Sequence, residues 1–337
     1  GGTASLAAGD TVDPERFGVV LGADRICAPL DESVETYRAC MVQRRFDFGR
    51  WGTKGIPASF PLGFLRVLPN MITSHVSIAL DARGPNNTIH HAEVSGLSAV
   101  CEAARVIERG QADVMIAGGA SSQMDPFDCV RRCVMGLLSQ RHCDPASAMC
   151  PFDADRDGQV FGEGAAAFVL ESRRHARRRG ARVLATLSAW SASCEPRRRG
   201  TRLQGTGICR AVELVLERAG IGGDSLGHVN AHGLSTIEGD SLEARALHAT
   251  VPGAAVTAPK SYFGNLGAAG GAVEMAVSVL AFDGGTVPGT LNYRRGDPDC
   301  PIRIIDGKSV CSSQRPALTL NWTSSGQATA VVLGGPG

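Results

Sequence analysis

Side chains capable of acid–base or hydrogen-bond chemistry stand where two short apolar segments end. His232 follows one such segment, residues 228–231, while Lys260 and Asn265 follow another. In α/β proteins, strand ends of this kind carry the groups that face a ligand. The glycine-rich segment 267–272 then begins a helix, and backbone N–H groups at a helix start stabilise an anion or a developing oxyanion. The pattern indicates an oxyanion-binding site, with an ordinary buried histidine and close helix packing as the alternatives.

A carboxylate, Glu93, occupies a further junction between an apolar segment and a helix. A sharp strand–turn–helix elbow exposes one side chain at a helix N-terminus, which is why nucleophiles are found at such elbows. An acid at this place can also satisfy free backbone N–H groups as a helix cap. From the residues alone, both interpretations of Glu93 stay open.

The segment ends that carry these side chains have to be positioned by a fold of alternating strands and helices. Short apolar or alternating segments predict strands, and apolar residues at helical spacing predict helices. Strands are expected at residues 17–23, 88–92, 113–117, 164–171, 183–189, 228–231, 255–258, 318–321 and 328–333, and helices at 62–80, 95–109, 205–219, 237–248 and 267–282. This alternation is typical of an α/β fold with a largely parallel sheet that is covered on both faces.

The chain contains a faint internal repeat. The segment 162–170 ends the first half of the sequence much as the segment 325–333 ends the second. Two α/β halves of similar plan, joined near residues 172–182, account for this. The basic run 173–179 lies at the join and is either a solvated helix end or a docking patch, and the same choice applies to 197–199.

Charge and composition exclude several classes of protein. The 337 residues include 34 Lys and Arg against 33 Asp and Glu, a formal net charge of +1, whereas proteins that bind nucleic acid through their overall field carry a basic excess. No stretch reaches the ~18 apolar residues of a transmembrane helix, and the N-terminus lacks a signal-peptide pattern. The eleven cysteines form no C-x-x-C motif and are expected to be reduced and mostly buried. We therefore expect a cytoplasmic protein without a nucleic-acid partner, a membrane span or a metal.

Short motifs rich in glycine and polar residues follow one another along the chain. They are Gly84-Pro85-Asn86, Ala117-Gly118-Gly119-Ala120, Pro151-Phe152-Asp153 with Arg156-Asp157-Gly158, Gly162-Glu163-Gly164, Asn230-Ala231-His232-Gly233 with Ser235-Thr236 and Gly239-Asp240, Pro259-Lys260-Ser261, and Gly267-Ala268-Ala269-Gly270. In order and spacing, over residues 17–334, the chain resembles the β-ketoacyl-acyl carrier protein synthases, the elongating condensing enzymes of the thiolase superfamily.

The resemblance implies a thiolase-like fold of two related α-β-α-β-α halves, residues 1–172 and 173–337. Members of this family carry an initial strand and helices ahead of the segment 17–23, so the first half is expected to be truncated relative to the family. The resemblance also implies no cofactor, and as partner an acyl carrier protein that presents phosphopantetheine thioesters. A dimer is expected, formed by two copies of the chain or with an active ketosynthase.

The catalytic positions depart from the family pattern. In the family, a cysteine takes an acyl group from a carrier-protein thioester, and two histidines promote decarboxylation of a malonyl thioester. The cysteine aligns with Glu93 and the second histidine with Asn265, whereas His232 and Lys260 are retained. A carboxylate cannot form a stable acyl-thioester, so condensing activity is not expected. Cys101 lies about two helical turns, ~12 Å, from Glu93 and is expected to pack in the core.

The resemblance therefore implies two sets of site residues. The catalytic set is Glu93, His232, Lys260 and Asn265, and the substrate-binding set is Ser235, Thr236, Ser325 and Gly326, where Ser325 replaces a gating phenylalanine. Three functions in fatty acid or polyketide biosynthesis stay open. The first is a non-condensing homologue that acts as malonyl decarboxylase or as chain-length-factor-type partner. The second is a catalytically silent subunit of a heterodimer. The third is an altered member of this acyltransferase family that uses Glu93 as a general base.

Overall fold

The computed structural model describes residues 12–25, 30–60, 62–196, 201–312 and 314–336. Its strands are β1 (Phe17–Ala23), β2 (Met41–Val42), β3 (Arg45–Phe46), β4 (Asn86–Ile89), β5 (Val114–Ser122), β6 (Glu163–Glu171), β7 (Thr186–Cys194), β8 (His228–Asn230), β9 (Ala255–Thr257), β10 (Thr286–Val287), β11 (Arg303–Ile304), β12 (Val310–Cys311), β13 (Ala317–Trp322) and β14 (Gln327–Gly334). The basic run 197–199 lies outside the described residues.

The α-helices are α1 (Leu30–Ala39), α2 (Ile56–Ala58), α3 (Gly63–Arg66), α4 (Asn70–Leu80), α5 (Ser95–Glu108), α6 (Pro126–Val134), α7 (Arg173–Arg178), α8 (Thr206–Ala219), α9 (Ile237–Thr250), α10 (Lys260–Phe263) and α11 (Gly270–Gly284). A π-helical turn spans Trp51–Gly55, and 3-10 turns at Ala92–Val94 and Gly267–Ala269 bear on the site. Across the described ranges, no helix is both long and apolar enough to cross a membrane.

Two mixed sheets form the frame. The first has the strand order β4-β1-β5-β6, in which β6 alone is antiparallel to its neighbour. The second has the order β11-β9-β8-β13-β14-β7. Its first four strands are parallel, β14 is antiparallel to β13, and β7 is antiparallel to β14. Among the described residues, the strands of the first sheet precede residue 172 and those of the second follow it. The division into domains at this residue stays a prediction.

The sheets and helices stack in five layers. Helix α4 covers the outer face of the first sheet, α5 and α11 lie between the two sheets, and α8 with α9 covers the second. Helix α11 is apolar around most of its circumference, as expected for a helix enclosed by sheets on both sides. This α-β-α-β-α arrangement confirms the predicted fold class.

Alternation along β1 shows how the sequence builds these layers. Val19 and Leu21 pack outward in the cluster that includes Ile72 of α4, whereas Val20 points to the central layer with Leu97 of α5. Successive side chains of a strand point to opposite faces. A continuous apolar strand therefore serves two hydrophobic clusters at once.

Several sequence-based assignments differ from the structure. The strand expected at 183–189 instead spans Thr186–Cys194, because it pairs with β14 over this length, and the strand expected at 113–117 continues to Ser122 beside β6. The helix expected over 62–80 is divided into α3 and α4, because Pro69 lacks the N–H that a continuous helix needs. The strand expected at 88–92 ends at Ile89, since Ala92 adopts a positive φ of 49° that turns the chain. Residues 44–61, for which no strand or helix is expected from the sequence, hold β3 of a β2–β3 hairpin, the π-helical turn and α2.

The cysteines differ in part from the sequence-based expectation. Every cysteine that the structure describes is a free thiol, as expected, but several are exposed rather than buried: Cys133, Cys143, Cys194 and Cys311. The basic run at the join forms α7, where the exposed arginines are solvated while His175 and Arg179 bind Glu171. Exposed arginines are expected for a solvated helix end and for a docking patch alike, so both interpretations of this run stay open.

Candidate active site

A cluster of buried polar side chains lies at the carboxyl ends of three parallel strands. His232 follows β8, Lys260 follows β9, and Asn321 is near the end of β13. All three side chains are at most 1% exposed. Because the carboxyl ends of parallel strands meet at one edge of the sheet, strand order alone brings residues far apart in sequence together.

Hydrogen bonds fix the imidazole of His232 in one orientation. Nζ of Lys260 and Nδ2 of Asn321 each lie 3.1 Å from Nδ1 of His232. Nδ2 of Asn321 also donates to Oε2 of Glu274 at 2.6 Å, which fixes the orientation of the amide. Lysine and the amide NH₂ are donors only, so Nδ1 of His232 accepts and its hydrogen resides on Nε2.

The Nε2 atom of His232 is buried and has no hydrogen-bond partner among the described residues. Buried donors are nearly always paired in folded proteins, so this N–H is available to a ligand. Burial and the Lys260 ammonium together lower the pKa of His232 well below its ordinary value. The residue is therefore a neutral hydrogen-bond donor near neutral pH rather than a charged imidazolium.

Glu274 of α11 neutralises the lysine. Its carboxylate forms a buried ion pair with Lys260 and accepts from Asn321. Burial raises the pKa of Glu274, while Lys260 and Asn321 act in the opposite direction. The pair holds Lys260 against His232 without leaving an uncompensated charge in the interior.

A second buried carboxylate shapes the turn after β8. Oε1 and Oε2 of Glu243 accept from the backbone N–H groups of His232 and Gly233, at 2.7 and 2.9 Å. Burial raises the pKa of Glu243 to about 7, and the two backbone donors oppose this shift. The turn that presents His232 is thus fixed by α9.

Asn265 lies in the turn between α10 and α11 and is fully buried. Its Oδ1 accepts from the N–H of Gly267 at 2.9 Å, and Nδ2 donates to Oε1 of Gln159 at 2.7 Å. One of the two amide hydrogens is thereby used within the protein. The other is free to serve an oxygen of a ligand.

Glu93 lies on the one-turn helix Ala92–Val94, which contacts Gly267–Ala269, α11, β13 and β14. The elbow is held by Ser95, whose Oγ donates to the carbonyl of Ala92 and accepts from the N–H of His91. The Glu93 carboxylate is half-buried and forms no hydrogen bond or ion pair with any residue that the structure describes. The structure therefore favours a side chain presented at an elbow over a helix cap.

Close backbone packing positions the elbow. A Cβ atom on Gly22 would lie 2.5 Å from the N of Gly96, and one on Gly96 would lie 2.9 Å from the carbonyl of Ala268. A Cβ on Gly119 would lie 2.8 Å from that same carbonyl. Only glycine permits these approaches, so the glycines join the elbow, the first sheet and the turn after Asn265.

Cys101 cannot replace the missing thiol. It lies in the core cluster of α5 with 4% exposure, and burial raises its pKa to about 12. The thiolate is the reactive form, so this cysteine is inert near neutral pH. The prediction that Cys101 packs in the core is confirmed.

The residues expected to bind substrate lie on two turns and mostly bond within the protein. Ser235, at a positive φ of 62°, accepts from the N–H of Cys150, and the carbonyl of Thr236 accepts from Arg156. Ser325 bonds to Thr323 in the β13–β14 turn, where Gly326 adopts a φ of 95°. None of the four contacts His232 by a hydrogen bond among the described residues, and their binding role stays a prediction.

Sequence reasoning missed Glu243, Glu274, Asn321 and Trp322 as parts of the site. The ring of Trp322 packs edge-on against His232 at 5.7 Å between centroids. A signal existed for Glu274, because an acid within the apolar segment 270–282 needs a buried partner. No group of three or more His, Cys, Asp or Glu side chains that could hold a metal occurs in the described part of the chain.

Comparisons with known proteins agree with this architecture. The family model for the β-ketoacyl synthase N-terminal domain matches residues 9–176, and that for its C-terminal domain matches residues 184–294. The chain is 32% identical to the actinorhodin polyketide putative β-ketoacyl synthase 1 of Streptomyces coelicolor, over 96% of this chain and 69% of that protein. It is 33% identical to the 3-oxoacyl-[acyl-carrier-protein] synthase 2 of Mycobacterium bovis, over 86% of this chain and 70% of that protein.

A solved structure extends the similarity to the fold. A ketosynthase complex, described as a type II polyketide acyl-carrier protein with its ketosynthase bound to the hexaketide, superposes with a TM-score of 0.83. The identity is 25%, and the match covers 97% of this chain and 79% of the other. The chain belongs to the β-ketoacyl synthase family. It is a thiolase-fold, ketosynthase-like protein of the kind found in fatty acid and polyketide synthesis.

Proposed function

We propose that this protein is a non-condensing ketosynthase homologue that binds malonyl-carrier-protein thioesters and decarboxylates them. The observation that carries the proposal is the fixed Nε2–H of His232, a buried donor without a protein partner. The elbow position of the nucleophile holds Glu93, which cannot carry an acyl-thioester. The site thus keeps a hydrogen-bond donor for a thioester oxygen, but it lacks the nucleophile that would carry an acyl group.

The proposed step is a loss of carbon dioxide from the malonyl group. The bond between C2 and the carboxylate carbon breaks, CO₂ leaves, and the electron pair forms an enolate whose charge develops on the thioester oxygen. The Nε2–H of His232 and the free amide hydrogen of Asn265 stabilise that oxygen. C2 then takes up one proton from the solvent to give the acetyl thioester. Preorganised donors of this kind contribute most where charge develops in the transition state.

Lys260 and Glu243 act through His232 rather than on the substrate. Lys260 keeps Nδ1 of His232 as an acceptor, and Glu243 holds the backbone of the same residue. The proposal thus assigns the donor role to His232 and Asn265, and positioning roles to Lys260 and Glu243. Glu93 occupies the elbow position of the family's nucleophile and forms no covalent intermediate.

A second candidate function is that of a partner subunit for an active ketosynthase. Phe127, Val130 and Val134 follow one another at spacings of three and four residues along α6, and each is more than half exposed. Extended apolar surface on a folded chain marks an interface. This candidate retains the chain-length-factor-type role and does not require turnover at His232.

Mass spectrometry of the products from malonyl-carrier protein tests the proposal. We expect acetyl-carrier protein with release of CO₂, and no β-ketoacyl product. The variant His232→Ala should lower the rate by about 100- to 1,000-fold, the loss typical for one oxyanion donor. A circular-dichroism spectrum checks that the variant is folded. An equal rate in folded wild type and variant would reject this site, while no turnover in either, with formation of a stable complex with a ketosynthase, would favour the partner function.

A further inference from the structure

The elbow presents a carboxylate that the protein itself does not use. The Glu93 side chain is half-buried and bonds to none of the residues that the structure describes. Ala92, directly before it, holds a φ of 49°, a conformation that residues of this kind seldom adopt. Withdrawing a carboxylate from water without giving it a partner costs free energy. The strained turn thus holds a carboxylate whose oxygens are free to accept from a ligand or a water molecule.

The elbow lies against the turn that follows Asn265. The one-turn helix that carries Glu93 contacts Gly267–Ala269. A Cβ atom on Gly96 would lie 2.9 Å from the carbonyl of Ala268, so the two backbones are in direct contact. Both side chains stand three residues before the glycine or alanine that makes this contact. The free carboxylate and the free amide hydrogen of Asn265 therefore lie within about one helical turn of the same point.

The same elbow reaches the strand that orients His232. It contacts β13, whose Asn321 holds Nδ1 of His232. Gly271, in the first turn of α11, fills the space between these parts. A Cβ atom on it would clash with Oδ1 of Asn321 and would lie 2.7 Å from Cγ of Leu97 on α5. The first turns of α5 and α11 thus meet the end of β13, which brings the carboxylate to the two hydrogen-bond donors.

A carboxylate base beside two oxyanion donors is the arrangement that hydrolysis of a thioester requires. The base accepts a proton from the attacking water, and the donors stabilise the oxygen that becomes negative. His232 cannot supply the base, because its Nδ1 accepts from Lys260 and its Nε2 carries the hydrogen. Burial and the lysine also lower the pKa of this histidine. The base has to come from another residue, and the unpaired carboxylate at the elbow is placed for it.

We infer that this site also hydrolyses acyl-carrier-protein thioesters, with Glu93 as the general base that activates water. The inference rests on the proposed function for its substrate class and for the two donors. Glu93 takes one proton from water while the water oxygen bonds to the thioester carbon, and the carbonyl electron pair moves onto the oxygen held by His232 and Asn265. The carbon–sulfur bond then breaks, and the departing thiolate takes the proton from Glu93. One thioester and one water give one carboxylic acid and one thiol.

Release of acetate and of holo-carrier protein from acetyl-carrier protein, followed by mass spectrometry, tests the inference. The full-length protein should accelerate hydrolysis above the rate in buffer. Glu93→Gln should lower this hydrolysis by at least about 100-fold, because the amide has a similar shape but cannot accept a proton. Glu108→Gln makes the same change of charge at the exposed far end of α5 and should hydrolyse as the wild type does.

Chemical rescue separates a base from a residue that only supports the elbow. Glu93→Ala should also lose hydrolysis, and added formate should restore part of the rate in proportion to its concentration, because this small carboxylate can occupy the vacated space. Formate should not accelerate the wild type. Circular-dichroism spectra check that each variant is folded. Hydrolysis at the wild-type rate in folded Glu93→Gln, no hydrolysis by the wild type, or no response of Glu93→Ala to formate would each overturn the inference.

Release of CO₂ from malonyl-carrier protein, measured in parallel, distinguishes the inference from the function on which it rests. If acetyl-carrier protein is hydrolysed and the rate depends on Glu93, while malonyl-carrier protein loses no CO₂, the proposed decarboxylation fails and the hydrolytic activity stands. If CO₂ is released while acetyl-carrier protein stays intact, the hydrolytic activity is wrong and the proposed decarboxylation stands. His232→Ala should lower both rates, because the two reactions share this donor.

Discussion

Nζ of Lys260 lies 3.1 Å from Nδ1 of His232, and both side chains are buried. A second positive charge on the imidazole is costly at this distance in a poorly solvated interior. Burial and this neighbour lower the pKa of His232, which suits a hydrogen-bond donor and does not suit a general base. The lysine thereby determines which chemistry the histidine can perform.

The first prediction concerns the buried pair of Lys260 and Glu274. Lys260→Met should lower the free energy of unfolding by about 3–5 kcal/mol, because it leaves the Glu274 carboxylate buried without its cation. The double variant Lys260→Met/Glu274→Gln should recover much of this loss, since no unpaired charge remains. Urea unfolding monitored by circular dichroism measures both. Equal stability of the single and double variants would contradict the pairing.

The second prediction concerns the pH dependence of stability. Burial raises the pKa of Glu243 to about 7, so between about pH 4.5 and 7 the native state holds a proton that the unfolded state has released. This contribution to stability is present below the unfolded pKa and is lost as the pH rises through 7. Glu243→Gln removes the titration. The stability of this variant relative to wild type should therefore increase between pH 5 and 8, by on the order of 2–3 kcal/mol.

Unfolding curves for both proteins at pH 5, 6, 7 and 8 provide the comparison for Glu243. The NH₂ group of glutamine cannot accept from a backbone N–H as the second carboxyl oxygen of Glu243 does, so an offset in stability is expected at all pH values. Only the change of the difference with pH reports on the carboxyl. A difference that is the same at all four pH values would show that Glu243 has an ordinary pKa.

The third prediction tests the elbow. Glu93→Cys should permit acylation by an acyl-carrier-protein thioester, because a helix N-terminus lowers the pKa of a thiol. In wild type the peptide that contains Glu93 should stay unmodified. Because other exposed cysteines are present, the site of acylation is determined by peptide mass spectrometry, with Glu93→Ser as the matched control. Acylation at Cys101 in any variant would contradict its burial in the core.

The fourth prediction concerns Asn265. Asn265→Asp replaces the free N–H donor with an oxygen of similar shape, and should lower malonyl decarboxylation by about 100-fold or more. Gln159 can rotate its amide to donate to the new carboxyl, so the fold is expected to persist. Thermal unfolding serves as the check on folding. An unchanged rate in the folded variant would remove Asn265 from the oxyanion site and leave His232 as the donor.

The sequence predicts elements and strand ends better than it predicts contacts across the core. Strand β1 was expected at its observed limits, and His232 and Lys260 were expected at strand ends, because apolar segments and the residues that follow them are local features. The contact of His232 with Asn321 joins residues 89 positions apart, and it depends on β13 lying beside β8. Strand order is a property of the assembled sheet and leaves no local pattern. Pro69 shows the opposite case, in which a single residue broke a helix that periodicity had favoured.

The glycine contacts around the elbow have a consequence for how the protein can change. Gly22, Gly96 and Gly119 hold backbones so close that no other residue fits, whereas the Glu93 side chain bonds to none of the described residues and is half-exposed. Substitution of these glycines would therefore disrupt the backbone packing, whereas the side chain at position 93 can be replaced without such disruption. Replacement of the one residue at position 93 can therefore remove or restore a nucleophile without rebuilding the fold, so the chemistry of the elbow can change while the fold is kept.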